Sequence, residues 1–194
     1  MKAFVLSALA VDKEHGDVAL EAVEASLRER GYDVDTVDVA AARVIPCTGC
    51  ASCGLKTPGR CVVKDDMQDI FRQIVESDVL VLATPVRFGS YCADMKKVVD
   101  RFQPLMVPIY VVRNGEMHFR GRYDLPALLG VGLVQEGGEG GSADGEADAF
   151  RFLIGRLAVN IDARHAATAF AGGDDRLARV ELDRTLDAIA KEAS

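Results

Sequence analysis

Short, wholly apolar runs alternate along the chain with longer stretches whose apolar residues recur every three or four positions. Residues 2–7 (KAFVLS) have the continuous apolar character of a strand buried on both faces. In residues 16–30, Val18, Leu20, Val23 and Leu27 fall at helical spacing, and Gly31 follows where a helix needs a glycine to end. Residues 33–39 read as a second strand. Asp65 is placed to cap a helix over 66–76, with Gln68 positioned to close a capping box. Residues 79–83 (VLVLA) predict a third, fully buried strand, and residues 91–102 a helix. A fourth strand over 128–134, a helix over 144–157, a fifth strand over 166–170 and a helix over 175–191 complete the pattern. The last is amphipathic through Leu177, Val180, Leu182, Leu186 and Ile189.

Five apolar strands alternating with helices predict an α/β fold, a parallel sheet covered on both faces. Right-handed crossovers leave few topologies, and a five-stranded, doubly wound sheet of flavodoxin type fits the length. The 194 residues suffice for one domain, 1–194, with a sizeable core. One stretch departs from the repeat: residues 104–126 place Asn114-Gly115 between two apolar runs, a strong hairpin signal. It reads as an inserted hairpin, used as a lid or a subunit contact.

Charge narrows the partners. A formal net charge of −7 disfavours nucleic acid, whose phosphates call for a basic surface. No apolar run approaches the ~20 residues of a membrane span. The N-terminal stretch superficially resembles a signal peptide, but it is short and runs into an acidic amphipathic helix without a cleavage pattern. A cytoplasmic location is therefore expected, and the cysteines agree. Cys47, Cys50, Cys53 and Cys61 crowd into one loop, whereas a secreted framework would spread its cysteines.

That loop, residues 47–61, has the spacing C-x2-C-x2-C-x7-C. Three thiolates at intervals of three, and a fourth after a Gly/Pro-rich bend, can wrap a cubane iron–sulfur cluster. Gly49, Gly54 and Gly59 offer the backbone freedom for the wrap. Zinc competes, although its structural sites usually come as separated knuckles or mixed Cys/His sets; buried thiols or adventitious disulfides are a third option. Three further loops follow strands at the end of the sheet where ligands bind. They are 8–15, 84–90 (TPVRFGS) and 135–142 (QEGGEGGS). Glycines there let backbone amides approach a ligand, and Phe88 can pack on a flat ring. Cys92 reads as a small hydrophobe, His118 and His165 as core or surface residues, and Lys96, Lys97 and Arg101 as a solvated helix face. Asp65-Asp66 reads as a helix cap rather than an acid–base pair.

The chain resembles the NADPH-dependent FMN reductase and iron–sulfur flavoprotein group of flavodoxin-like proteins. The likeness rests on Ile45-Pro-Cys-Thr-Gly-Cys-Ala-Ser-Cys53 with 61–67 (CVVKDDM), on 83–90 (ATPVRFGS) with Met95-Lys96 and Asp100-Arg101, and on the glycines of 137–141. The resemblance implies an enzyme, a flavin-dependent oxidoreductase. It implies FMN with its ring against Pro85, Val86, Arg87, Phe88, Gly89 and Ser90 and against Gln135, Glu136, Gly137 and Gly138. It also implies a [4Fe–4S] cluster on the four cysteines, and a homodimer or homotetramer. The first loop departs from the family's Gly-Ser-x-Arg pattern, leaving Ser7, Lys13 and His15 as polar candidates for the FMN phosphate. The expected function couples two-electron flavin chemistry to a one-electron cluster, with NAD(P)H or a ferredoxin-like protein as redox partner. The alternatives are a cluster-free FMN or quinone reductase, a small-metabolite dehydrogenase, and a non-enzymatic cysteine redox sensor.

Overall fold

The computed structural model describes residues 1–11, 15–113, 115–134, 143–171 and 175–192. Its centre is a parallel sheet of β1 (Lys2–Ser7), β2 (Asp33–Asp38), β3 (Val79–Arg87), β7 (Ala127–Leu133) and β8 (Ala166–Ala171), in the order β2-β1-β3-β7-β8. Strand order therefore reverses between β1 and β3, the doubly wound arrangement expected from the sequence. A two-residue strand, β4 (Ser90–Tyr91), folds back antiparallel on the end of β3. The remaining strands, β5 (Met106–Arg113) and β6 (Glu116–Gly121), form the separate hairpin that Asn114-Gly115 announces.

Period-two alternation along the buried strands sends their side chains to opposite faces. Phe4, Leu6, Leu80, Leu82 and Leu128 pack with α3 (Met67–Glu76), α4 (Ala93–Val99) and α5 (Ala143–Ile161) through Ile70, Ile74, Met95, Val98, Phe150 and Ile154. Ala3, Val5, Val79, Val81, Leu129 and Val131 pack with α1 (Gly16–Glu29) and α6 (Asp175–Glu192) through Val23, Leu27, Leu182, Leu186 and Ile189. Each fully buried aliphatic or aromatic side chain contributes roughly 1.5–3 kcal/mol. The two cores hold the sheet flat enough to present every strand end on one edge. Gly31 takes φ +79 after α1, as its place at the helix end requires.

Two expectations need correction. The helix predicted over 91–102 runs only over Ala93–Val99, because Ser90–Tyr91 pairs with β3 instead. Arg101 is not on a solvated face: it is 2% exposed. Its hydrophilic sequence context hid a buried partner, described below. The inserted hairpin, read as a lid or a subunit contact, is found packed in part on its own chain, which bears on the first use and leaves the second open to it. Glu116 pairs with Arg156 of α5, the Gly121 amide donates to Asp162 at 3.0 Å, and His118 is buried.

Candidate functional site

Parallel pairing aligns the C-terminal ends of β1, β3 and β7: Ser7 lies opposite Ala83, and Pro85 opposite Leu133. Beyond Ala83, β3 continues to Arg87, so its last residues overhang the end of β1. The overhang closes into a two-residue hairpin in which Arg87 faces Ser90. Both intervening residues have positive φ, Phe88 at +52° and Gly89 at +71°. That is the type I′ turn, which prefers Asn, Asp or Gly at its first central position. A phenylalanine held there costs about 1–2 kcal/mol, and its ring, 80% exposed, recovers little of this by burial. Gly89 is fixed by packing as well as by φ: a Cβ there would come within 2.5 Å of Ala149 Cβ on α5. Pro85 and Val86 are buried beneath the turn. The Thr84 hydroxyl donates to the Pro85 carbonyl and accepts from the Cys92 amide, tying the start of α4 to the turn.

The first loop is a tight 3-10 turn, Leu9–Val11, seated on α1. The Leu9 carbonyl would lie 2.1 Å from a Cβ at position 16, so only glycine fits there. Ser7 is buried, its hydroxyl accepting the Leu9 amide at 3.2 Å. His15 is exposed at the start of α1. Lys13 and the residues Gln135, Glu136, Gly137 and Gly138 lie outside the described residues.

The cysteine loop lies across the other end of α4. It contains the short helix α2 (Ser52–Leu55) and packs on the hairpin. Between them opens a cavity of about 640 Å³. Cys47, Cys50, Cys53 and Cys61 all line it, facing Met106, Pro108, Tyr110 and Phe119 across the gap. Gly49 and Gly59 adopt positive φ as expected, but Gly54 does not; Ala51, at φ +55°, makes that bend instead. The reason is that Gly54 belongs to α2.

The base of the loop is pinned by a buried ion pair that sequence reading missed. Arg101 donates from Nη1 to Asp65 Oδ2 at 2.8 Å and from Nη2 to Asp65 Oδ1 at 3.1 Å. The two side chains are 1% and 0% exposed. Arg101 also donates to the Ile45 carbonyl at 2.6 Å, while the Ile45 and Met67 amides donate to Asp65. Burial pushes the Asp65 carboxyl up, but the guanidinium and the Ile45 and Met67 amides outweigh it and hold the group below the ordinary range. For Arg101, burial acts downward; Asp65 and then Cys61 more than reverse it. Only half of the expected capping box forms: the Asp65 amide donates to Gln68 Oε1 at 3.3 Å. The cap residue is Asp66, one position later, because the Asp65 carboxylate is taken up by Arg101 and the Ile45 and Met67 amides. The signal available in the sequence was the acidic side chain at the cap and the arginine just beyond α4; nothing in their spacing shows that they meet.

The thiols differ in character. Exposed Cys50 has its pKa lowered, chiefly by the Ser52 backbone amide and then the Ser52 side chain. Burial raises that of Cys53, and the charges of Cys61, Cys47 and Cys50 raise it further. Among the described residues no three His, Cys, Asp or Glu side chains are arranged to hold a single metal ion. A four-iron cluster sets a different requirement, since each thiolate takes its own iron.

A family model for the NADPH-dependent FMN reductases matches residues 1–145. The chain belongs to this family. Within it, the chain is similar to iron–sulfur flavoproteins from two archaea. It is 38% identical over 85 residues to one from Archaeoglobus fulgidus, covering 44% of this chain and 38% of that protein. It is 31% identical over 112 residues to one from Methanosarcina thermophila, covering 58% of this chain and 53% of that protein. The matched stretches thus span about half or less of these relatives' length. Among solved structures, the fold is similar to an NAD(P)H:quinone oxidoreductase from Methanothermobacter marburgensis, with TM-score 0.67 and 16% identity over 100% of this chain and 98% of that one. An FMN-dependent NADH-azoreductase from Bacillus anthracis, solved in complex with FMN, gives 0.61 at 11% identity over 100% and 99%. At such identities the likeness establishes the fold, which is the flavodoxin-like fold of this FMN reductase family. No helix among the described residues is long and apolar enough to cross a membrane.

Proposed function

We propose that this protein is an FMN-dependent oxidoreductase that also carries a [4Fe–4S] cluster on Cys47, Cys50, Cys53 and Cys61. The carrying observation is that four sulfurs line one cavity, at the far end of a short helix whose near end begins at the flavin loop. FMN supplies two-electron chemistry and the cluster one-electron steps, with NAD(P)H or a small redox protein as partner. The chain's residues do the rest. Phe88 offers an exposed ring to the isoalloxazine from a strained turn, with Pro85, Val86, Arg87, Gly89 and Ser90 around it. The phosphate end falls to the neighbourhood of Ser7, Lys13 and His15, and the opposite side of the ring to residues 135–138. Tyr110 and Phe119, stacked at 4.6 Å, shield the cysteine cavity from water. Val112 and Met117, 69% and 66% exposed, prolong the same face toward the hairpin tip and suit a second subunit, giving a homodimer or homotetramer. The unit is one domain over 1–194.

The lowered pKa of exposed Cys50 favours one further reading, a thiol–disulfide site without iron. An absorption spectrum, with iron and sulfide analysis, of protein purified without oxygen separates the two. FMN bands plus a broad visible shoulder that dithionite bleaches support the cluster. Flavin bands alone, with no iron or sulfide, leave the thiol site; the absence of flavin bands would refute the FMN reading.

A further inference from the structure

Arg101 is buried without satisfying its own hydrogen-bonding capacity. Both terminal nitrogens are committed to Asp65 and Ile45, yet Nε–H is buried and has no partner among the described residues. A buried, unpaired donor on a charged group is costly, because it has given up its water and gained no acceptor in return. It marks a place where an acceptor is expected. The direction in which the pair faces narrows what that acceptor is. Arg101 lines the cysteine cavity, whereas Asp65 does not; Asp65 instead lines the hollow on the outer side of the loop. The ion pair is net neutral, with its cationic member at the wall of the cysteine cavity and its anionic member at the wall of the other hollow. Cys61 lines both hollows and shares the wall of the cysteine cavity with Arg101, and it helps to raise the guanidinium's pKa.

We propose that Arg101 is the positioning residue that sets the reduction potential of the cluster, donating Nε–H to the anionic sulfur at Cys61 and turning its charge into the cavity. This rests on the cluster reading given above. Reduction of [4Fe–4S]2+ to [4Fe–4S]+ adds one electron and no proton, so the thiolate-bound unit becomes more negative by one charge. A fixed positive charge and a hydrogen bond to sulfur both favour the more negative state and raise the potential. Asp65, behind the guanidinium, keeps Arg101 in place.

Two variants test this while allowing for the cost of an unpaired buried charge. Arg101→Lys keeps the charge and loses the planar Nε donor. The double variant Asp65→Asn with Arg101→Gln removes both charges together, leaving neither stranded. Each is reconstituted with iron and sulfide without oxygen and titrated with dithionite through mediators, the cluster followed by electron paramagnetic resonance and FMN by absorbance. The double variant is expected to lower the cluster midpoint by at least a tenfold change in the reduced-to-oxidised ratio, 59 mV for one electron. Arg101→Lys is expected to lower it less, and the FMN potential to stay at the wild-type value in both. An unchanged cluster midpoint overturns the proposal while leaving the cluster reading intact. Cluster and FMN potentials that move together overturn it by exposing a general disturbance. Folded variants that load no iron overturn it by making Arg101 part of the assembly scaffold. A wild-type protein that takes up no iron and sulfide overturns both the proposal and the cluster reading.

Discussion

Phe88→Asn opposes stability and cofactor binding at one residue. Phe88 sits at φ +52° at the first central position of a type I′ turn, where asparagine is at home. Relief of the left-handed backbone should return about 1 kcal/mol. Because the ring is 80% exposed, its loss removes only about a fifth of a full Phe burial, roughly 0.4 kcal/mol. The apoprotein should gain about 0.5 kcal/mol, which for a chain of this size raises Tm by about 1–2 °C. FMN binding should move the other way. A ring that covers the isoalloxazine contributes an aromatic pair plus new burial, about 2 kcal/mol together. Kd should therefore rise between tenfold and a hundredfold. Thermal unfolding of the apoprotein and fluorescence titration with FMN measure the two halves separately. A variant that loses apoprotein stability refutes the strain argument. One that binds FMN as tightly as wild type refutes the placement of the ring.

Cys50→Ala should cut the iron bound after reconstitution to a small fraction of wild type with the apoprotein Tm nearly unchanged, since the loop lies outside both cores; full iron content would remove Cys50 from the ligand set. Gly89→Val should weaken FMN at least tenfold, ~1.4 kcal/mol, and should also lower Tm, because its Cβ would meet Ala149; an unaltered Tm would contradict the packing described for that turn. Asp65→Asn should cost about 3–5 kcal/mol in urea unfolding at neutral pH by stranding Arg101. The Asp65 pKa is held down in the fold, so its contribution is complete above the unfolded carboxyl value near 3.9 and is lost as pH falls through the folded value. The gap between wild type and the variant should thus narrow as pH is lowered below the unfolded carboxyl value, and a gap that does not narrow on acidification would refute this. Val112→Glu should shift the assembly toward monomer in light scattering while leaving iron content unchanged; an unchanged assembly would return the hairpin face to a purely local role.

The central strands β1, β3 and β7 were legible because each is buried on both faces and reads as a nearly unbroken apolar run. The edge strands are only partly buried, and β2 shows itself by alternation instead. The hairpin was legible because Asn-Gly has few other uses. The cysteine spacing likewise announced one shared site. What stayed hidden was pairing at a distance. Asp65 carried a sufficient local explanation as a helix cap, yet the cap falls to Asp66, and the Asp65 carboxylate meets a guanidinium far along the chain. Arg101 follows two lysines and an aspartate, so its context reads as solvent-facing, and hydropathy cannot tell a buried arginine from an exposed one. The start of α4 was misread for a related reason. Tyr91 and Cys92 fit a helix by composition, but the turn at Phe88-Gly89 returns the chain onto β3 first. Gly89 could be read as making room for a ligand, while its nearest obstruction is the neighbouring helix.

The Asp65–Arg101 clamp also bears on the order of events by which such a protein matures. It joins Ile45, Asp65 and the end of α4, so the segment carrying the cysteines is a ring closed at its neck by contacts that involve none of the four cysteines. The entropy of closing that ring is met during folding, by hydrogen bonds that involve no sulfur. If the cysteines hold the proposed cluster, its insertion would have only the rim of the ring to organise and could be late and repeatable without unfolding the domain. A cluster destroyed by oxygen would leave behind a receptacle ready to be refilled.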